Sequence, residues 1–119
     1  MAKKALLKKV LAEIDEIDRL NEAHTVDLTP YRTGLTKLEQ TVAGYFDDFR
    51  EQFLIEIADA SEHMFMECLQ NLFEIYWGDD LADEIRETCK LGDDDADLAV
   101  FHRIHSQLLR HVATIALSA

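Results

Sequence analysis

Residues 38–77 read LEQTVAGYFDDFREQFLIEIADASEHMFMECLQNLFEIYW, and their spacing decides the fold. Apolar side chains recur at Leu38, Val42, Phe46, Phe49, Phe53, Ile57, Ala60, Met64, Cys68, Leu72 and Ile75, three or four residues apart. That is the period of one helix face. No proline interrupts the run, and Gly44 is its only glycine. Unbroken from residue 36 to 77, such a helix is about 60 Å long at a rise of about 1.5 Å per residue. A compact monomer of 119 residues has no room for it. The pattern therefore predicts a break, at Gly44 or at Ala58-Asp59-Ala60-Ser61, or a helix shared between two copies of the chain. After Ala60 the run is apolar on most faces, the mark of a buried helix. Met64, Phe65, Leu69, Phe73, Tyr76 and Trp77 are accordingly expected at an oligomer interface.

Working toward the N-terminus, Leu7, Val10, Ile14, Ile17, Asn21 and His24 predict one amphipathic helix over residues 3–24. A loop from Thr25 to Pro30 follows, with Thr29 placed to cap the next helix and Pro30 at its first position. Thr36 with Glu39 forms a second possible start, a capping box. Toward the C-terminus, Gly78 is expected to end the central run. Asp79 or Asp80 then caps a short helix through Leu81, Ile85 and Cys89, which Gly92 closes. Asp93, Asp94 and Asp95 open the last helix, where the helix dipole favours negative charge, and its stripe is Leu98, Phe101, His105, Leu108, Val112 and Ile115. Strand signals are absent from the pattern. The expectation is one all-α domain over residues 1–119. It is a bundle of four or five helices with one long central helical region, assembled as a homodimer.

Charge is unevenly distributed. Between Glu39 and Asp97 there are eighteen acidic residues and only three basic ones, Arg50, Arg86 and Lys90, against a whole-chain charge of −12. Lys3, Lys4, Lys8 and Lys9 make the start of the chain basic. A field of this sign repels nucleic acid and anionic membrane and attracts basic partners. No apolar run approaches the roughly 20 residues of a membrane span. The first residues have no apolar h-region, because Lys8, Lys9 and Glu13 interrupt it. Cys68 and Cys89 sit in apolar patterns and read as reduced, buried thiols. Together these features predict a soluble cytoplasmic protein.

The sharpest chemical pattern is Glu56-Ile57-Ala58-Asp59, two carboxylates at i and i+3 that leave a helix in the same direction. The longer stretch Glu56 to His63 resembles the second metal motif of the MazG-like all-α nucleotide pyrophosphohydrolases. It also resembles the matching helix of phosphoribosyl-ATP pyrophosphohydrolase, in which a histidine follows the aspartate by four residues, as His63 does here. Asp80-Leu81 lies where that family carries a further similar segment. The resemblance implies a small helical oligomer that holds magnesium through four carboxylates and releases pyrophosphate. Glu56, Asp59 and Glu39 become the metal ligands that the resemblance implies, with Asp80 as a further candidate and His63 beside them. The family's first motif is Glu-Glu-x-x-Glu, and the corresponding window Lys37 to Thr41 offers only Glu39. Asp47-Asp48-Phe49-Arg50-Glu51 has the acidic pattern but lies too close to Glu56 to face it from another helix, and Glu13-Ile14-Asp15-Glu16 is the remaining supply.

Other patterns are thinner. His102 and His105 stand at i and i+3, with His111 beyond, so a helical metal site built on histidines is a third reading. His105 lies on the apolar stripe, where packing is the commoner role. Arg19 and His24 resemble the Arg-x4-His pattern of HEPN-class ribonucleases, but on the first helix of an acidic chain poorly suited to gathering RNA. Asp93-x-Asp95-x-Asp97 opens like a calcium loop, yet Leu98 and Ile104 occupy the positions that need glycine and glutamate. The leading expectation is a small acidic, non-enzymatic interaction or inhibitor module with no cofactor. Asp47, Asp48, Glu51, Asp79, Asp80, Asp83, Glu84 and Glu87 form its face for a basic protein surface.

Overall fold

The computed structural model describes residues 3–57 and 61–118, with the side chains of residues 3 and 76 left aside. Among these residues the chain is an all-α bundle with no strand. Its five helices are α1 (Lys3–Leu20), α2 (Arg32–Glu56), α3 (Glu62–Asn71), α4 (Gly78–Cys89) and α5 (Asp95–Leu117). A short 3-10 turn, Thr29–Tyr31, leads into α2, and a π-helical stretch, Leu72–Trp77, joins α3 to α4 without a loop. The bundle measures 41 × 27 × 22 Å, so the central run has to fold back.

It folds back after α2. Gly44 lies inside α2 and does not break it; the helix ends at Glu56 with Ile57 as its C-cap. α3 restarts behind Ser61, whose hydroxyl accepts the Met64 amide at 3.4 Å. Residues 58–60, most of the second predicted break, lie outside the described residues. The two arms then run antiparallel. Phe53 meets Phe65 edge-on at 5.8 Å near the turn, and Tyr45 meets Trp77 at 5.8 Å farther along.

The second arm has an exact four-residue rhythm. Phe65, Leu69, Phe73, Trp77, Leu81 and Ile85 are all buried. In a straight α-helix a row of fourth residues drifts about 40° per step, roughly 200° over this stretch, and would leave the core. The wider π turn at Leu72–Trp77 offsets part of that drift, and the backbone then leaves helical geometry at Gly78 (φ 19°, ψ −121°), as expected from the sequence, so Leu81 and Ile85 are placed by a separate helix, α4. The π turn also leaves Ile75 outward at 72% exposure, although the sequence pattern placed it on the buried stripe. Of the residues expected at an oligomer interface, Phe65, Leu69, Phe73 and Trp77 are core residues of one chain; Met64 is half exposed, and the Tyr76 side chain lies outside the described set. α1 and α5 both pack on α3.

α5 is the central helix of the bundle. It packs along both α1 and α2, and Ile104, Leu108 and Val112 are fully enclosed. Several boundaries differ from the sequence expectation. α1 stops at Leu20, not at residue 24, because Glu22 turns left-handed at φ 56° and the Ala23 amide reaches back to the Asp18 carbonyl at 2.8 Å. Neither Thr29 nor Thr36 caps α2: its N-cap is Tyr31 with no side-chain cap, Thr36 lies within the helix, and Thr29 instead donates its amide at 2.9 Å and its hydroxyl at 2.6 Å to the Asp27 carboxylate in the turn before it. α4 begins at Gly78 with Asp79 and Asp80 in its first turn rather than as caps, and the left-handed residue that closes it is Lys90, not Gly92. Asp94 caps α5 by accepting the Asp97 amide at 2.8 Å, and Asp97 in turn accepts the Gly92 amide at 2.7 Å. The aspartates at 94 and 97 thus have structural partners at a helix start.

Candidate functional site

The acidic residues divide by helix face. On α2, Asp47, Asp48 and Glu51 are exposed; on α4, Asp79, Asp80, Asp83 and Glu87 are exposed and Glu84 is half-buried. α2 and α4 pack against each other, and Tyr45 marks the seam. Its hydroxyl donates to Glu84 Oε2 at 3.4 Å while its ring lies against Trp77. The negative charge of Glu84 pushes the Tyr45 hydroxyl above its ordinary pKa, with smaller contributions from burial, the Glu84 hydrogen bond and the charge of Asp80. Glu84 of α4 thus meets a residue of α2, with Asp80 one turn before it on the same helix. Asp48 sits one turn beyond Tyr45 on the same flank of α2. Asp47 points away from the seam and is the only one of the eight with an ion-pair partner among the described residues, Arg50 at 3.5 Å. Like charges meeting without a cation raise the local potential and repel one another.

The proposed metal ligands do not assemble. Glu39 and Glu56 belong to the same helix, seventeen residues apart, which is about 25 Å at 1.5 Å per residue. No single cation can touch both. Glu39 faces α5, with Gln107 Nε2 at 3.5 Å and His111 Nδ1 at 3.3 Å. Glu56 is exposed and accepts from Gln52 at 3.2 Å. His63 is exposed and paired along its own helix with Glu67 at 3.5 Å. Asp59 lies outside the described residues. Among the described residues no three His, Cys, Asp or Glu side chains are gathered for a metal ion. The resemblance to the pyrophosphohydrolases therefore stops at the tetrad: the helix that supplies Glu56 also supplies Glu39.

The histidines also disperse. His105 is packed between aromatic rings, 5.4 Å from Phe73 and 6.2 Å from Phe101. Burial lowers its pKa, and the charge of His102 adds to that. His111 is tied to Glu39 instead. On α1, Arg19 is ion-paired with Glu16 one turn back, and His24 lies beyond the helix end.

Sequence reasoning missed the most enclosed polar cluster. Asp18 of α1 is 1% exposed, and its carboxylate takes hydrogen bonds from Arg103 and Ser106 and an ion pair from Arg110 at 3.2 Å. Arg110 also reaches exposed Asp15. The signal was present: Leu6, Val10 and Ile14 form a four-spaced buried row whose next member is Asp18. Arg103, Ser106 and Arg110 share the α5 face opposite, at i, i+3 and i+7. This cluster fixes α1 to α5 and offers no accessible reaction centre.

A groove of about 210 Å³ lies between α2 and the arm formed by α3 and the π turn, lined by Phe49, Gln52, Phe53, Glu56, Cys68, Asn71, Leu72 and Ile75. Its Cys68 thiol is pushed above its usual pKa by burial, then by the charges of Glu56 and Glu67. No helix among the described residues is long and apolar enough to cross a membrane. Comparison with known protein families, curated proteins and solved structures finds no match to this chain.

Proposed function

We propose that this protein is a small acidic, non-enzymatic interaction or inhibitor module that binds a basic protein surface through the α2/α4 seam. One observation carries the reading: at the contact of α2 with α4 the Tyr45 hydroxyl donates to Glu84, and Asp48, Asp80 and Glu84 have no ion-pair partner among the described residues. Carboxylates left uncompensated in this way attract a basic partner. Binding by this route is steered by long-range attraction, so the association rate falls steeply as salt shortens the screening length, about 10 Å at 0.1 M.

The test is kinetic. A basic protein retained by the immobilised chain at low salt is titrated against wild type and an Asp48→Asn/Asp80→Asn/Glu84→Gln variant. The variant associates about tenfold more slowly at low salt and converges with wild type near half-molar salt, as expected for steering. Equal neutralisation elsewhere, at Glu22, Glu74 and Asp93, changes the rate far less. An association rate indifferent to salt in wild type sinks the mechanism. Cytoplasmic placement and self-association belong to the same proposal and are checked by fractionation and sedimentation.

A further inference from the structure

Resting on that reading, we infer that the groove between α2 and the α3–π arm is an anchor pocket for a single large apolar side chain of the basic partner. The partner segment this fits is amphipathic, with one leucine- or phenylalanine-sized residue and lysines or arginines about two helical turns away.

Size, chemistry and position each support the assignment. A cavity of about 150 Å³ lined by apolar side chains accommodates a benzene ring. The groove, about 210 Å³, therefore suits one such group and is smaller than the roughly 300 Å³ at which small-molecule sites begin. Its floor is Phe53 and Leu72, both buried, and its open wall is Ile75, at 72% exposure. The π turn produces this wall: it keeps Phe73 and Trp77 inside and turns Ile75 out.

The rim has the charge such a segment needs. Glu56 lines the groove, and Glu67 acts on Cys68 at its floor, while no basic side chain lines it. Along α2 the groove's Gln52 lies seven residues from Tyr45, about 10 Å, where Asp80 and Glu84 gather. One seam thus presents an apolar socket and, two turns away, a cation-attracting end. An aromatic or aliphatic anchor surrounded by electrostatic complementarity is the usual anatomy of an interface centre.

Cys68 in the lining provides the readout. The probes are synthetic helical peptides of alanine and lysine, one set carrying a single leucine at each of four successive positions, the other alanine throughout. Fluorescence anisotropy at low salt should show the best leucine peptide binding about tenfold tighter than its alanine parent, as expected for burying most of a leucine side chain. That peptide should slow iodoacetamide alkylation of Cys68 several-fold, by mass spectrometry, and leave Cys89 unaffected. Ile75→Asn, at an exposed position, should abolish the leucine advantage without changing the alanine peptide's affinity. If both sets bind in a salt-sensitive way with equal affinity, or Cys68 is not protected, the anchor pocket is wrong while the acidic-face reading stands. If neither binds, both are wrong. If the chain alone sediments as a dimer that Ile75→Asn dissociates, a second copy fills the groove and the proposal is overturned.

Discussion

Removing the Asp18 carboxylate should be the most destabilising single polar change in this protein. The side chain is 1% exposed and is held by Arg103, Ser106 and Arg110. Asp18→Ala leaves two guanidinium groups facing a dry α1/α5 interface. Breaking a buried ion pair by deleting one partner costs about 3–5 kcal/mol. The low end applies here, because Arg103 is 25% exposed and Arg110 keeps Asp15 as a partner. About 3 kcal/mol is a large share of the roughly 5–15 kcal/mol that holds a domain together. At about 4 °C per kcal/mol for a chain of this length, the midpoint should drop by roughly 12 °C. The control is Asp15→Asn: Asp15 is 70% exposed and also meets Arg110, and it should cost no more than about 1 kcal/mol. Urea denaturation followed by circular dichroism measures both. A loss below about 1 kcal/mol for Asp18→Ala, or equal losses for the two variants, would refute the claim that burial makes this cluster strong. Replacing the whole cluster with apolar residues of similar volume should recover most of the loss, since the penalty lies in the orphaned charges.

Other outcomes follow from local geometry. Glu22 and Lys90 both hold φ at 56° at helix ends, so Glu22→Gly and Lys90→Gly should each raise stability by about 0.5–1 kcal/mol in the same denaturation assay. His105 has a lowered folded pKa from burial, so the unfolded chain binds the extra proton first. Its contribution to stability is full above the unfolded value of 6.5 and is lost as pH falls from there toward the folded pKa. His105→Gln should flatten that acid-side slope in urea titrations at several pH values. Cys68 and Cys89 both have raised thiol pKa values, burial being the first cause for each. Iodoacetamide should therefore modify both more slowly than free glutathione at pH 8, and peptide mass spectrometry after timed quenching reads the two rates.

The helices were legible because their stripes are long and regular. The extent of α5 followed from the row Leu98, Phe101, His105, Leu108, Val112 and Ile115, but the structure buries only Leu108 and Val112 of it, leaves Leu98 exposed, and encloses Ile104, Leu109, Ala113, Ala116 and Leu117 as well, because this central helix is covered on two sides. Boundaries were less legible where a side chain replaced the expected glycine. Glu22 and Lys90 adopt the left-handed conformation that Gly92 was expected to supply; their neighbours' amide bonds back to Asp18 and Arg86 outweigh the cost. The π turn was illegible to a test built on 3.6-residue periodicity. Phe65, Leu69, Phe73 and Trp77 repeat every four residues, a row that an underwound turn keeps on one face, and the break at Gly78 then starts a new helix with Leu81 and Ile85 on its buried side. Read that way, the segment packs inside one chain, with Ile75 turned outward. A short tetrad such as Glu56 to Asp59 does not say which helix carries its partners, and α2 supplies both Glu39 and Glu56.

The placement of the arginines bears on the meaning of the acidic seam. Arg103 and Arg110 are bound to Asp18, Arg19 to Glu16 and Arg50 to Asp47. Arg86 leaves α4 on the side of α5, its guanidinium 4.8 Å above the Phe101 ring, not on the side of Asp80 and Glu84. Cations are therefore available on the very helices that form the seam, yet their side chains are directed to other partners. An exposed face built only to keep the protein soluble gains more from interspersed charges of both signs. A face that must capture a basic partner gains from leaving its carboxylates uncompensated and accepting the self-repulsion. Moving one cation tests that distinction. Glu87→Lys adds a positive charge one turn beyond Glu84 on α4, and should stabilise the isolated chain by a few tenths of a kcal/mol. The same change should slow association with a basic partner, and a variant that gains stability with no loss of association rate would favour the solubility reading.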